Sequence, residues 1–363
     1  MKLKISLVIL SILLVGGGIS IFLQTGKSHK NDTEHFIRKW LTNENDTLAT
    51  YIQRRTPIDE DLTAGREALA ESLGLWMQYS LAKDDQVLFR EAYRLLDDNF
   101  LDASGFIYWK LDESGSKNVV ANALVDDLRI AHMLMNAHLK WNNLSYLKAA
   151  QNISLYSTKH NVRNQYLTDF YDKEIDLAGQ YLTLSYVKTD ALNIMKENRF
   201  ITEEIYTKTT NVLINAPYQG PFLPKRFHIE SEEYEYDEEI NIVDQSIAAY
   251  YAQLEGKKTE DFYRFISGEM RENNKVYGKY HIDSLDAVVD YESPAIYGWL
   301  ILYMIEYGDH ALAKDIYERM TDFRKARGKY KGGYSVYDDD THIFDNLLPL
   351  ISEQELLNHK IVK

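Results

Sequence analysis

Three stretches of the chain hold carboxylates where a purely solvated helix surface would not. Glu71 lies in the otherwise apolar run Leu69-Ala70-Glu71-Ser72-Leu73-Gly74-Leu75-Trp76-Met77. On a helix its i+3 and i+4 neighbours are Gly74 and Leu75, so it stands over an apolar, locally open face. A carboxyl there is partly desolvated, which raises its pKa and suits a general acid. An ion pair with an Arg, or a solvated edge, would explain the same placement. Asp126 and Asp127 open a second run, where Asp127 shares the face of Ile130, Ala131 and Leu134, and Asp126 falls near Arg129. Acids also gather at helix starts because the dipole there is positive. In the third stretch Asp237, Asn241, Asp244, Gln245 and Ala248 form one stripe, with Ile240, Ile242, Val243 and Ile247 on the reverse. Such a stripe is either a solvated face or the start of a helix pointing into a central groove.

Other chemistries are excluded or unsupported. The 363 residues contain no Cys, which removes disulfides, thiolate metal sites, Cys nucleophiles and lipid attachment at Cys. The ten His form no H-E-x-x-H pair and no metal-spaced set with Asp or Glu, and His132 and His138 read as ordinary helix polar groups. There is no G-x-S-x-G elbow and no Gly-rich phosphate loop. With 41 basic against 55 acidic residues the net charge is −14, the wrong sign for a nucleic-acid partner. The 27 Tyr either fill a core or line a groove for a ligand with flat apolar faces.

The elements that must position these acids are helices from end to end. Apolar residues recur at helical spacing from Phe36, through Ala68–Leu81 and Val87–Leu101, to Ala121–Trp141, the longest clean stretch. Further runs occupy 144–159, 174–183, 188–197, 203–214, 238–254, 259–272, 285–306 and 310–323. Short pieces such as Gly105–Lys110 and Val276–His281 read as small hairpins. No βαβ alternation, internal linker or fixed-period repeat appears. Ten to twelve helices in consecutive pairs suit an all-α, (α/α)6 toroid better than an open solenoid.

The first residues are a separate object. Ile5–Leu23 is uncharged and apolar, and 19 residues of helix reach roughly 29 Å, enough for a bilayer core. No small-x-small cleavage signal follows it, so an uncleaved signal anchor is favoured over a cleaved signal. The expected organisation is an anchor over 1–25, a tether and first helix over 26–44, and one domain over 45–363. Residues 1–30 hold four of the basic residues and none of the acidic ones, which leaves −18 on the remainder.

These segments together resemble glycoside hydrolase family 8. Its acid motif, S-E-G-x-G-x-G-M, is matched at Glu71, Gly74 and Met77. Its second motif, A-[ST]-D-[AG]-D-x-x-I-A, keeps Asp127, Ile130 and Ala131 but places Val125 where the first Asp stands. Gly105–Trp109 resembles a G-L-x-x-W hairpin, Ser185-Tyr186 a later Ser-Tyr pair, and Tyr236-Asp237 the start of Y-D-A-x-R. The resemblance spans roughly residues 60–350 in the expected order, and its departures are similar to a Gram-positive branch associated with exopolysaccharide synthesis.

It implies inverting hydrolysis of a β-linked, mainly β-1,4, polysaccharide, with Glu71 as general acid and Asp237 as general base, Asp244 in reserve. Asp126 and Asp127 would hold sugars, and Trp76, Trp109, Tyr186 and Tyr236 would stack on them. No metal or organic cofactor is required. The implied partners are a polysaccharide, the membrane through the N-terminal segment, and exopolysaccharide synthase machinery, with the catalytic domain outside the cell. The alternatives are a non-catalytic polysaccharide-binding protein on the same fold and a helical scaffold for protein partners.

Overall fold

The computed structural model describes residues 31–55 and 63–363. Twelve α-helices dominate these residues: α1 Asp32–Trp40, α2 Ala70–Ala82, α3 Gln86–Leu95, α4 Leu124–Trp141, α5 Leu144–His160 and α6 Thr189–Glu197, followed by α7 Glu203–Ile214, α8 Ile242–Leu254, α9 Glu260–Asn273, α10 Pro294–Tyr307, α11 His310–Thr321 and α12 Phe344–Asn358.

Sequence decides which layer each helix joins. In α10 every residue from Pro294 to Met304 is buried, so this helix has no face to offer water and must lie inside. Pro294 at its first turn and the Ser293 cap, which accepts from Ala295 N–H, fix its start. By contrast α9 buries only Phe262, Ile266 and Met270, and α11 only Ala313, Ile316 and Met320. Those are single stripes at i+3 and i+4 spacing, the pattern of an outer helix. The even-numbered helices form the inner layer. Each packs on the next, from α2 through α4, α6, α8 and α10 to α12, and α12 returns to α2. This closed ring of six, with odd-numbered helices outside, is the (α/α)6 toroid. Gly298 permits the α10–α12 approach, because a Cβ there would stand 2.8 Å from Leu348.

Strict alternation makes all six inner helices run the same way. Their C-terminal ends lead through short turns, such as residues 83–85, 142–143 and 308–309, to the outer helices. That face of the ring is closed. The returns to the next inner helix are long and carry the hairpins: Ala68–Leu69 pairs with Lys110–Leu111, Glu239–Asn241 with Lys279–His281, and Arg226–His228 lies between Tyr181–Thr183 and Glu233–Glu235. The six inner N-termini and these loops make the open face.

Three local expectations differ from the structure, and one is the run 285–306, whose helix α10 begins only at Pro294. Residues 174–183 form hairpin strands, not a helix. The Asp172 side chain accepts from Glu174 and Ile175 N–H, and Asp176 takes a left-handed φ of 52°, which turns the chain back. Conversely α12 lies beyond the last expected helical run, 310–323, and contains Pro349. It completes the ring nonetheless, burying Leu347, Leu348, Leu350 and Ile351. The expected start of the domain at residue 45 follows helix α1, whose Phe36 and Ile37 belong to the main core. The anchor lies outside the described residues, and no described helix is long and apolar enough to cross a membrane.

Candidate active site

A cavity of about 460 Å³ opens at the centre of the open face. Its walls come from the beginnings of the inner helices: Glu71 from α2, Val125, Asp126 and Arg129 from α4, Ser185 and Tyr186 just before α6, Val243 and Asp244 from α8, Ser293 and Ala295 from α10, and Phe344 and Asp345 from α12. Convergent helix N-termini present positive dipole ends, which favour acids here. A larger hollow of about 660 Å³ lies on the outer layer beside α1 and α3, where the Arg38 and Glu91 charges that face it already pair at 3.1 Å.

Arg129 organises one wall. It is fully buried, donates to Asp126 Oδ1 at 2.8 Å and stands 3.8 Å from Glu71 Oε1. Gly74 makes the room: a Cβ there would meet Arg129 Cδ at 3.1 Å. Glu71 keeps 31% of its side chain open to the cavity, but the cavity itself is deep in the ring. Burial, with the Asp126 and Asp244 charges, pushes its pKa up to about 8 against the pull of Arg129. Glu71 is therefore protonated at neutral pH, the state a general acid needs. Burial likewise raises Asp126 to about 6 despite its bond to Arg129.

Across the cavity Asp244 accepts from Ser185 Oγ at 3.2 Å. Burial raises its pKa, opposed by the Ser185 bond and the Lys225 charge. Lys225 pairs at 2.7 Å with Asp237, which lies outside the cavity lining. The far wall holds Trp299, His342 and Asp345. His342 Nδ1 accepts the Phe344 N–H at 3.1 Å, and burial pushes this imidazole down to about 4, so it is neutral with its proton on Nε2. Asp345 accepts from Ser293 Oγ at 2.6 Å, and burial raises its pKa.

The sequence model of the glycosyl hydrolases family 8 matches residues 19–181. "Putative lipoprotein YdaJ" of Bacillus subtilis (strain 168) is 36% identical over 333 residues, which cover 91% of this chain and 88% of that protein. The chain belongs to glycosyl hydrolases family 8. This family 8 glycoside hydrolase, a member of an inverting family, also resembles solved structures. An alpha-amylase from Clostridium perfringens is 26% identical, with a TM-score of 0.79 over 89% of this chain and 96% of that one. The endoglucanase Cel10 of Klebsiella pneumoniae, a family 8 glycosyl hydrolase, is 14% identical, with a TM-score of 0.62 over 89% and 98%. At that identity the second likeness shows the fold.

Of the residues singled out in the sequence of this family 8 hydrolase, the cavity gathers Glu71, Asp126, Asp244, Trp109 and Tyr186. Four others lie elsewhere. Asp127 points away, accepting from Asn122 at 2.6 Å and Ser157 at 3.1 Å. Trp76 lines the outer hollow, with the Arg38 guanidinium 5.7 Å from its ring centroid. Tyr236 donates to the Pro217 carbonyl at 2.7 Å, and Asp237 is held by Lys225. Arg129, Trp299, His342 and Asp345 were not recognised as site residues. Arg129 carried a signal, its i+3 spacing from Asp126; the others come from inner helices whose starts only the closed ring brings together.

Proposed function

We propose that this protein is an extracytoplasmic, membrane-tethered glycoside hydrolase that cleaves a polysaccharide by inversion, with Glu71 as general acid and Asp244 as general base. The observation that carries the reading is one cavity lined by both Glu71 and, from another inner helix, Asp244, where burial and neighbouring acids push the Glu71 pKa up to about 8. Asp244 takes precedence over Asp237 because it lines the cavity. Inversion needs a water between base and sugar, with the carboxyls about 6.5–9.5 Å apart. Glu71 then gives its proton to the glycosidic oxygen as the C–O bond breaks. Asp244 takes a proton from the attacking water on the opposite ring face.

Arg129 holds Asp126 against the cavity, where Asp126 is suited to accept sugar hydroxyls. Trp109, Tyr186 and Trp299 offer apolar faces for sugar rings. Tethering is supported by the apolar run Ile5–Leu23 and by the relative named as a lipoprotein. Without a Cys to carry a lipid, attachment in this chain falls to that run. Export would place the cavity beside cell-surface or exported polymer, where a synthase would be its neighbour.

The family resemblance favours a β-linked, β-1,4 polymer. A second reading, an α-linked glucan, is favoured by the likeness to the Clostridium perfringens alpha-amylase. Digestion of starch, β-glucan and amino-sugar polymers, with proton NMR of the first anomer released, separates the two. Inverted product from a β-linked polymer, absent in Glu71→Gln, is expected. Release from starch alone would transfer the assignment to the second reading. Full activity in Glu71→Gln would overturn the acid assignment.

A further inference from the structure

The chain enters its fold at the side of the ring, where Asp32 pairs with Lys331 at 2.8 Å and Thr33 donates to the Gly332 carbonyl at 2.8 Å in the return before α12, and its first turn also reaches the closed-face ends of α2 and α12. Lys83, which ends α2 there, donates to Glu34 in the first turn of α1 at 2.7 Å. Asn31 caps α1 and donates to Glu353, near the C-terminal end of α12, at 3.1 Å. Only the seven residues 24–30 separate Asn31 from the apolar run Ile5–Leu23. Fully extended, that tether spans roughly 25 Å, about half the diameter of a domain of this length. A bilayer holding the run therefore lies close to the closed face.

That face carries apolar side chains that none of the described residues covers. Val87, Leu139 and Leu144 are 54%, 69% and 70% exposed. They belong to one neighbourhood. Each stands two positions before an aromatic, Phe89, Trp141 or Tyr146, and the Phe89 ring lies 5.3 Å from Trp141 and 5.2 Å from Tyr146. Lys140 reaches Asp84 across the two turns at 3.1 Å. Exposed Arg90 and Lys148 lie one turn further along α3 and α5, while Asp84 and Asp85 lie in the turn before α3 and Glu91 follows Arg90. Exposed apolar side chains with Arg90, Lys140 and Lys148 close by suit the headgroup region of an anionic bilayer, where the apolar contact must offset Asp84, Asp85 and Glu91 and a body at −18.

We propose that the closed face docks on an anionic lipid bilayer through Val87, Leu139 and Leu144, so that the catalytic cavity opens away from the membrane. The proposal rests on the tethered reading above. It makes the ring a spacer that presents the cavity to polymer from the solvent side.

A chain without Cys allows a direct test. In the full-length protein, Val87→Cys, Leu139→Cys, Leu144→Cys and, as an open-face control, Glu238→Cys are each labelled with a fluorophore. Each is placed in phosphatidylglycerol–phosphatidylcholine vesicles containing spin-labelled lipid. Flotation with the vesicles reports the tether, and quenching reports docking. The expected result is at least twofold stronger quenching at 87, 139 and 144 than at 238. Flotation with equal quenching at all four sites would overturn docking and leave the tether standing. Failure to float would overturn both. Adding Leu139→Glu and Leu144→Glu should keep flotation and polymer cleavage but bring quenching at 87 to the level at 238. Unchanged quenching at 87 would also overturn the proposal.

Discussion

At the scale of single residues, the cavity separates two carboxyls by environment. Glu71 is desolvated and faces other acids, so it holds its proton to about pH 8. Asp244 is raised less and has Ser185 and Lys225 to favour its charge. The alkaline limb of kcat/KM should therefore fall near pH 8 and move or vanish in Glu71→Gln, with kcat down by roughly 10²–10⁴-fold. Stability gives a second readout. The folded state binds the Glu71 proton more tightly than the unfolded chain, so this group's contribution is full below about pH 4.5 and is lost as pH rises through about 8. Thermal melting should then show Glu71→Gln gaining on the wild type from pH 5 to pH 8.

The two base candidates divide as sharply. Asp244→Asn should cost a similar roughly 10²–10⁴-fold, while Asp237→Asn, which removes only a partner of Lys225, should cost less than tenfold. Steady-state kinetics on one polymer decides, and the reverse order would restore Asp237. Glu71 was legible in the sequence because an acid in an apolar helical run is locally anomalous. Asp237 and Asp244 shared one stripe, and spacing alone had no means to rank them.

At the scale of elements, inner helices depend on glycines at their contacts. A methyl at Gly298 would press on Leu348 at 2.8 Å, in backbone as well as side chain. Gly298→Ala should cost about 1–3 kcal/mol in urea unfolding. Gly74→Ala meets instead the Arg129 side chain at 3.1 Å, which can shift, but only by moving the guanidinium that holds Asp126. Its expected signature is a larger loss in kcat/KM than in stability. Helix type was readable where periodicity was clean, as in α4 and α9. It was missed at 344–358, where a proline breaks the local pattern but tertiary burial of Leu347, Leu350 and Ile351 overrides it.

At the scale of the whole molecule, closure is what makes the site. α12 contacts both α2 and α10 and brings Phe344, Asp345 and Leu348 to the cavity. Truncation at residue 343 should abolish cooperative thermal unfolding by circular dichroism, together with polymer cleavage. A cooperative melt with retained cleavage would show that five inner helices suffice. Part of the Tyr excess is also explained at this scale. Tyr79, Tyr146, Tyr280, Tyr297, Tyr303 and Tyr334 are fully buried core side chains, and Tyr186 is the Tyr that lines the cavity.

The sequence by itself determined the helical class, the absence of thiol chemistry, Glu71 as the candidate acid and the Asp126–Arg129 spacing. Each of these depends on residue type or on spacing within one or two turns. The tertiary structure decided which acids share a cavity with Glu71, which aromatic residues reach it, and that His342 and Asp345 stand in its wall. Those assignments depend on six helix starts separated by tens of residues, and only the closing of the ring sets them side by side.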